Sequence, residues 1–375
     1  MPIYKANGKK DGLQRYNVRI NYISDSGEAK QLTRIAYGLD NAKNLERKLN
    51  HSLKNKGEMP TKKMTIQQLF DEFIAVKKIE IKEISIHKIT NTYNYYIKPT
   101  FENHRIDRIN IVMVQDWKLK HEEKKLSLGT NQSAFKTLRA LLNYANQMEY
   151  IQKNPFDKLN NFVDKSTIKK KMDYYTFEEF KLFITKAREI AEKREKIERN
   201  LFEWDFYVFF NIAFYTGLRK GEIFALKWSD IEEDYLTVKR TLNQQLKGGD
   251  RETLPKSKTS NRTLQIPIPL MQVLEEHKQR QQQLHNFTND FRICNVRSTT
   301  LCRKNELYSK KADVKTIRIH DFRHSHVSIL ANENINIQEV ARRLGHARIE
   351  MTWNTYCHLY PREQERAVNV LNQFA

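Results

Sequence analysis

The chain has 375 residues, a formal net charge of +21 and a pI of about 9.6; the length predicts two or three domains and the charge points to a polyanionic partner. Three cysteines without paired spacing (Cys294, Cys302, Cys357) argue against a disulfide scaffold and fit a reducing cytosol. No apolar run approaches the ~20 residues that span a bilayer, and MPIYKANGKK lacks the apolar core of a signal peptide. Membrane and secreted classes drop out, and a cytosolic protein is expected.

Residues 1–57 read as a small separate module. Tyr16, Val18, Ile20 and Tyr22 alternate with Asn17, Arg19 and Asn21, the period of a half-buried strand. Ser26-Gly27 supplies a turn and residues 31–37 return as the next strand. Asp40 then caps a helix whose Leu45, Leu49 and Leu53 form one stripe. The segment holds 12 Lys/Arg against 5 Asp/Glu, a balance of +7. A three-stranded sheet with basic outward residues suits a major groove, although a solvated module without a partner has the same pattern. Gly57 and Pro60 mark a linker over 54–63.

Thr65-Ile66-Gln67-Gln68 is a capping box and starts a second domain, with Phe70 and Phe73 opening an apolar face. Helices are expected at 86–97, stopped by Pro99, at 110–117 and at 131–148, the last with Leu138, Leu141, Leu142 and Ala145 inward. No strand signal interrupts them, which predicts an all-α bundle of four or five helices over 64–155. Lys118, Lys120, Lys124, Lys125, Lys136 and Arg139 lie on its surface beside Glu122 and Glu123. On composition alone a structural spacer fits this bundle as well as a DNA-contacting domain does. Asn154-Pro155 and the lysine-rich run 165–171 follow as a basic connector suited to weak, salt-sensitive phosphate contacts.

Thr176-Phe177-Glu178-Glu179 is a second capping box and opens a third domain, 174–375. The charged run 186–199 reads as a solvated helix face. An apolar helix at 204–215 is expected to form the core and to hold Arg219 just beyond it. Gly217 lets the chain bend there, and Glu222 stands three residues further on to orient the guanidinium. Residues 230–242 and 263–269 read as strands. The loop between them contains Gly248 and Gly249 and carries Lys258, which its motion would move in and out of a site.

The densest chemistry lies at 319–360. His320 and Arg323 are one helical turn apart. Ile337, Val340, Ala341 and Leu344 form a periodic run that stops at Gly345, His346 follows, and Tyr356 lies ten residues on. Singly these residues are unremarkable: His-x-x-Arg is a common solvated helix face and a late Tyr is commonly packing. Together they are what a site for attacking a phosphodiester collects. Guanidinium clamps phosphate oxygens, imidazole moves or donates protons, and phenol acts as nucleophile. His320, His324 and His326 suggest a metal cluster, but no cysteine or carboxylate completes tetrahedral spacing. No glycine loop of the phosphate-cradling kind occurs. No metal and no nucleotide cofactor is expected.

With TGLRKGEIFALKW at 216–228, SKT before a strand, HDFRH at 320–324 and LGH followed by TY-x-H at 344–358, the chain resembles the tyrosine recombinases. Within them it is similar to integrases of Gram-positive phages and conjugative transposons. The boxes occur in the family's order, strongly over 174–375 and more weakly before. Phe322 stands where Leu is usual and Trp353 where a smaller residue is common; neither is a catalytic position. The resemblance implies a multidomain α+β fold. Its parts are an arm-type DNA-binding domain (1–57, three-stranded sheet plus helix), an all-α core-binding domain (64–155) and a mainly α catalytic domain with a small antiparallel sheet (174–375).

The resemblance also implies the roles. Arg219, Lys258, His320, Arg323, His346 and Tyr356 would be catalytic, with Glu222 in support. Tyr356 would attack the scissile phosphate to give a 3′-phosphotyrosine, with Tyr360, one turn on, a decoy. Arg219 and Arg323 would bind the non-bridging oxygens, Lys258 would protonate the 5′ oxygen, with Lys256 next in line, His320 would act as base on the phenol and His346 would hydrogen-bond the phosphate. Bond energy stored in the covalent link removes any need for ATP or metal. The implied partners are double-stranded DNA at arm-type and core-type sites, three further copies forming a homo-tetramer in which the tail 362–375 packs on a neighbour, an excision factor and a host DNA-bending protein. The alternatives are a type IB topoisomerase, a chromosome-resolution recombinase and a DNA-binding protein without catalysis.

Overall fold

The computed structural model describes the chain except residues 1–2, 11, 24–28, 55–62, 165–171, 199–200, 245–250, 254–260, 358–367, 369–370 and 375. Several expectations therefore lie outside the described residues: the Ser26-Gly27 turn, the Gly57 and Pro60 linker, the lysine connector, the Gly248-Gly249 loop, Lys256, Lys258, Tyr360 and most of the tail. Chain contacts divide the molecule into two compact units, Met1–Thr167 and Ile168–Ala375.

The first unit opens with an antiparallel sheet in the order β1 (Ile3–Lys10), β2 (Leu13–Ile23), β3 (Ala29–Tyr37), followed by α1 (Leu39–Lys54). The alternation in β2 works as expected. Val18 and Ile20 are buried with Ala36 and Ala42, and Leu45 and Leu49 of α1 pack on them, while Arg19 faces out. Asp40 sits inside the first turn of α1 rather than at its cap, where its carboxylate meets the positive end of the helix.

A second core in this unit belongs to α2 (Ile66–Glu80), α3 (Glu83–Thr92), α4 (Lys98–Phe101), α5 (Ile111–Glu123) and α6 (Leu128–Gln147). Thr65 and Gln68 form the expected reciprocal cap, at 3.3 and 2.9 Å. Leu138, Leu141, Leu142 and Ala145 are fully buried. Pro99 does not stop the helix expected at 86–97: a π turn at Tyr93–Ile97 resets the hydrogen bonding and Pro99 falls in the first turn of α4. A missing N–H costs nothing there.

The second unit packs around α8 (Phe202–Thr216), apolar on nearly every side and enclosed by α7 (Phe177–Glu198), α10 (Ile268–Gln282) and α12 (Asp321–Asn332). A helix that is hydrophobic all round has to be central. The Thr176–Glu179 capping box starts α7, at 2.8 and 3.2 Å. Residues 230–242 are not one strand. After α9 (Lys220–Ala225), β4 (Ile231–Glu232) and β5 (Tyr235–Val238) are separated by a turn with Glu233 at φ 52, and β6 (Thr241–Asn243) pairs instead with β7 (Arg251–Thr253). The expected strand at 263–269 ends as β8 (Arg262–Gln265), which joins β4 and β5, and Pro267 then caps α10. The remaining helices are α11 (Ser298–Lys311), α13 (Ile337–Leu344) and α14 (Ile349–Tyr356). No helix among the described residues is long and apolar enough to cross a membrane.

Candidate active site

Two left-handed glycines fix the backbone around the site. Gly217 closes α8 at φ 63 and Gly345 closes α13 at φ 65, a conformation that other residues adopt only with strain. Space forbids a side chain as well. A Cβ on Gly217 would lie 2.7 Å from Cδ2 of His326, and one on Gly345 would lie 2.8 Å from Nη1 of Arg262.

Arg323, in the first turn of α12, is 3% exposed and ties these helix ends together. Its Nη1 donates to the Gly217 carbonyl at 2.7 Å. Its Nη2 donates to the Leu344 carbonyl and to Nε2 of His346, both at 2.8 Å. Burial, and then the charge of Arg219, pushes its pKa down to about 9 against the pull of Glu222 and Tyr356. It stays charged at neutral pH.

Arg219 caps α9, where its backbone N–H and its Nη1 both donate to Glu222, each at 2.9 Å. Buried Glu222 also receives Nη2 of Arg262 at 3.0 Å. Burial alone would raise the Glu222 pKa, but Arg262 and then Arg219 outweigh it and hold the carboxyl below its ordinary value. The site thus gathers three guanidinium groups around one carboxylate. Arg262 is a member that the sequence reading missed. Its signal was slight, one more cation in PKSKTSNR just before a strand.

His346 accepts from Arg323 on Nε2, so its Nδ1–H donates to Oγ1 of Thr352, 2.8 Å away. Burial first and Arg323 second push it down to about 4, and the imidazole is neutral. The histidines of α12 go to different partners. His320 is the exposed N-cap residue of the helix; partial desolvation and then Arg323 lower its pKa. Buried His326 pairs through Nδ1 with the Phe214 carbonyl at 3.0 Å.

The histidine on the phenol is His324, whose Nδ1 lies 2.7 Å from the Tyr356 hydroxyl. The expected base, His320, does not hold that place. Because α12 begins at Asp321, residue 320 precedes the helix while residue 324 lies one turn inside it, toward α14. Tyr356 is 2% exposed; burial raises its pKa and the charge of Arg323 opposes the rise. The structure therefore brings Arg219, Arg323, His346 and Tyr356 together with Glu222. His320 stands beside them with its ring 5.3 Å from that of His324, and Lys258 lies outside the described residues. A cationic, largely desolvated cluster around a phenol is suited to hold a phosphate and attack it.

Residues 184–363 match the Phage integrase family. The ICEBs1 integrase of Bacillus subtilis (strain 168) is 27% identical over 374 residues, covering 97% of this chain and 98% of that protein. Among solved structures, the Tn1549 transposon integrase in complex with a circular intermediate DNA superposes with a TM-score of 0.65 at 21% identity, over 83% of this chain and all of the other. A lambda integrase tetramer bound to a Holliday junction gives a TM-score of 0.54 at 17% identity, over 92% and 96%.

Proposed function

We propose that this chain, a tyrosine recombinase of phage or conjugative-transposon type that carries a phage integrase family domain at residues 184–363, integrates and excises a mobile element through a 3′-phosphotyrosine intermediate. The observation that carries the reading is the convergence of Arg219, Arg323 and His346 on the surroundings of the buried Tyr356 hydroxyl, from four separate stretches of chain. Arg219 and Arg323 hold the non-bridging oxygens of the scissile phosphate, and their charge stabilises the extra negative charge that builds up as Tyr356 attacks. Loss of one such donor typically costs about 3 kcal/mol of barrier. Glu222 fixes Arg219 and Arg262 in place. His346, bonded to Arg323 through Nε2 and to Thr352 through Nδ1, braces the Arg323 guanidinium beside the phosphate. Lys258 protonates the departing 5′ oxygen. A 5′-hydroxyl from the second duplex then reverses the step, so the energy of each broken bond is kept in the phosphotyrosyl link.

Two duplexes and four exchanges call for four protomers. The similarity in fold to a lambda integrase that forms a tetramer on a Holliday junction supports that count. The basic sheet and α1 act as the arm-type domain (1–57), the helical bundle as the core-binding domain (64–155) and residues 174–375 as the catalytic domain. The protein works on double-stranded DNA in the cytoplasm, with an excision factor and a host DNA-bending protein setting direction. The test pairs two plasmids carrying the genomic DNA that flanks this gene with two that lack it. Recombinant junctions are expected only from the first pair. Relaxation of every supercoiled plasmid, without junctions, would instead make the protein a type IB topoisomerase.

A further inference from the structure

Neither Asp321 nor His324 has a part in the roles above, yet both are buried against the nucleophile. Nδ1 of His324 lies 2.7 Å from the Tyr356 hydroxyl, and Nε2 lies 3.7 Å from Oδ1 of Asp321. The second distance is too long for a hydrogen bond but is close for charge. Asp321 is itself fixed: the Arg318 backbone N–H and guanidinium donate to its two oxygens at 2.8 to 3.2 Å, and its carbonyl accepts from Ser325 Oγ at 3.0 Å. A carboxylate only accepts, so the proton of the neutral imidazole belongs on Nε2, facing Asp321. The lone pair on Nδ1 is then aimed at the phenol. The arrangement is that of a nucleophile, a base bonded to it and a third group that orients the base.

We propose that His324, oriented by Asp321, is the group that takes the proton from Tyr356 as its oxygen attacks the phosphate. The proposal rests on the reading of the site as a phosphotyrosine-forming one. The Oη–H bond breaks and its proton passes to Nδ1 while Oη bonds to phosphorus. The P–O5′ bond breaks, its electron pair leaves on O5′, and Lys258 supplies that oxygen with a proton. In rejoining, the proton on Nδ1 returns to Oη. Asp321 stabilises the imidazolium between the two steps. Burial first, and then the facing charges of His320, Arg318 and Arg323, keep His324 neutral, at about 4, and able to accept, against the opposing pull of Asp321.

The test measures single-turnover adduct formation on the flanking genomic DNA, with a 5′-bridging phosphorothiolate so that the leaving group needs no proton. His324→Asn keeps a polar atom near the Nδ1 position but no base. At pH 7 it is expected to slow the step about 10²-fold or more, with DNA affinity unchanged. Between pH 6.5 and 8 the variant rate should climb about tenfold per pH unit with the phenolate fraction, against a flat profile for the unsubstituted protein. Adduct formation at the unsubstituted rate, or slowing by the same factor at every pH, overturns the proposal. A second measurement depends on neither the variant nor the activity. Nitrogen NMR of 15N-histidine protein is expected to show the His324 proton on Nε2, and a proton on Nδ1 overturns the assignment. No adduct from the unsubstituted protein would count against the phosphotyrosine reading itself, with the tautomer still deciding the His324 contact.

Discussion

Glu222 and Arg262 form an ion pair 3.0 Å long in which both side chains are only 6% exposed. The same carboxylate holds Arg219 at 2.9 Å, so one acid sets the position of two of the three guanidinium groups in the site. Removing one partner of a buried pair costs about 3–5 kcal/mol, because the remaining charge loses its counterion. Glu222→Ala is therefore expected to lower the unfolding free energy by that amount in a urea titration and to slow DNA cleavage as Arg219 loses its anchor. An unchanged midpoint would show that water compensates Arg262.

Gly217→Ala combines a positive φ with a Cβ only 2.7 Å from the ring of His326. Strained backbone of this kind costs about 1–3 kcal/mol, and the Gly217 carbonyl is one of the two that hold Arg323. The variant is expected to melt several degrees lower and to cleave DNA more slowly at saturating DNA. Full activity with lowered stability would separate the turn from the guanidinium.

Arg323→Lys tests geometry at constant charge. An ammonium cannot reach the Gly217 and Leu344 carbonyls and His346 at once as the planar fork does. Cleavage is expected to fall by about 10²-fold or more while DNA affinity, spread over many phosphates, changes little. A loss confined to affinity would reassign Arg323 to binding.

Stability is expected to fall on acidification. Burial, the leading cause in each case, places His324 and His346 at about 4 and His326 at about 3, below the ordinary ~6.5. The folded protein thus binds fewer protons than the unfolded chain between these values. The contribution is fully present above pH ~6.5 and is lost as the pH drops toward the folded values. Urea midpoints measured from pH 7 to 4 should decline steadily; a flat profile would mean that these rings are solvated.

What the sequence made legible was local. Both capping boxes, the apolar helix at 204–215 and the stop at Gly345 follow from residues within a turn or two of each other. The break between β4 and β5 was not legible, because the turn at Glu233 uses a left-handed residue that is not glycine. Neither was the role of Arg262, which depends on β8 carrying it to a carboxylate 40 residues away. His324 was hidden among three histidines. Which of them meets Tyr356 depends on the residue at which α12 starts, and helix starts are the least certain feature of any sequence pattern.

The central claim is that the phenolic oxygen of Tyr356 becomes bonded to DNA. The direct measurement traps the protein on a nicked substrate made from the flanking genomic DNA, digests it and sequences the DNA-linked peptide by mass spectrometry. A single 3′-phosphotyrosyl linkage on Tyr356 is expected, absent from Tyr356→Phe although that variant still binds the DNA. A linkage on another residue, or an adduct that survives Tyr356→Phe, would contradict it.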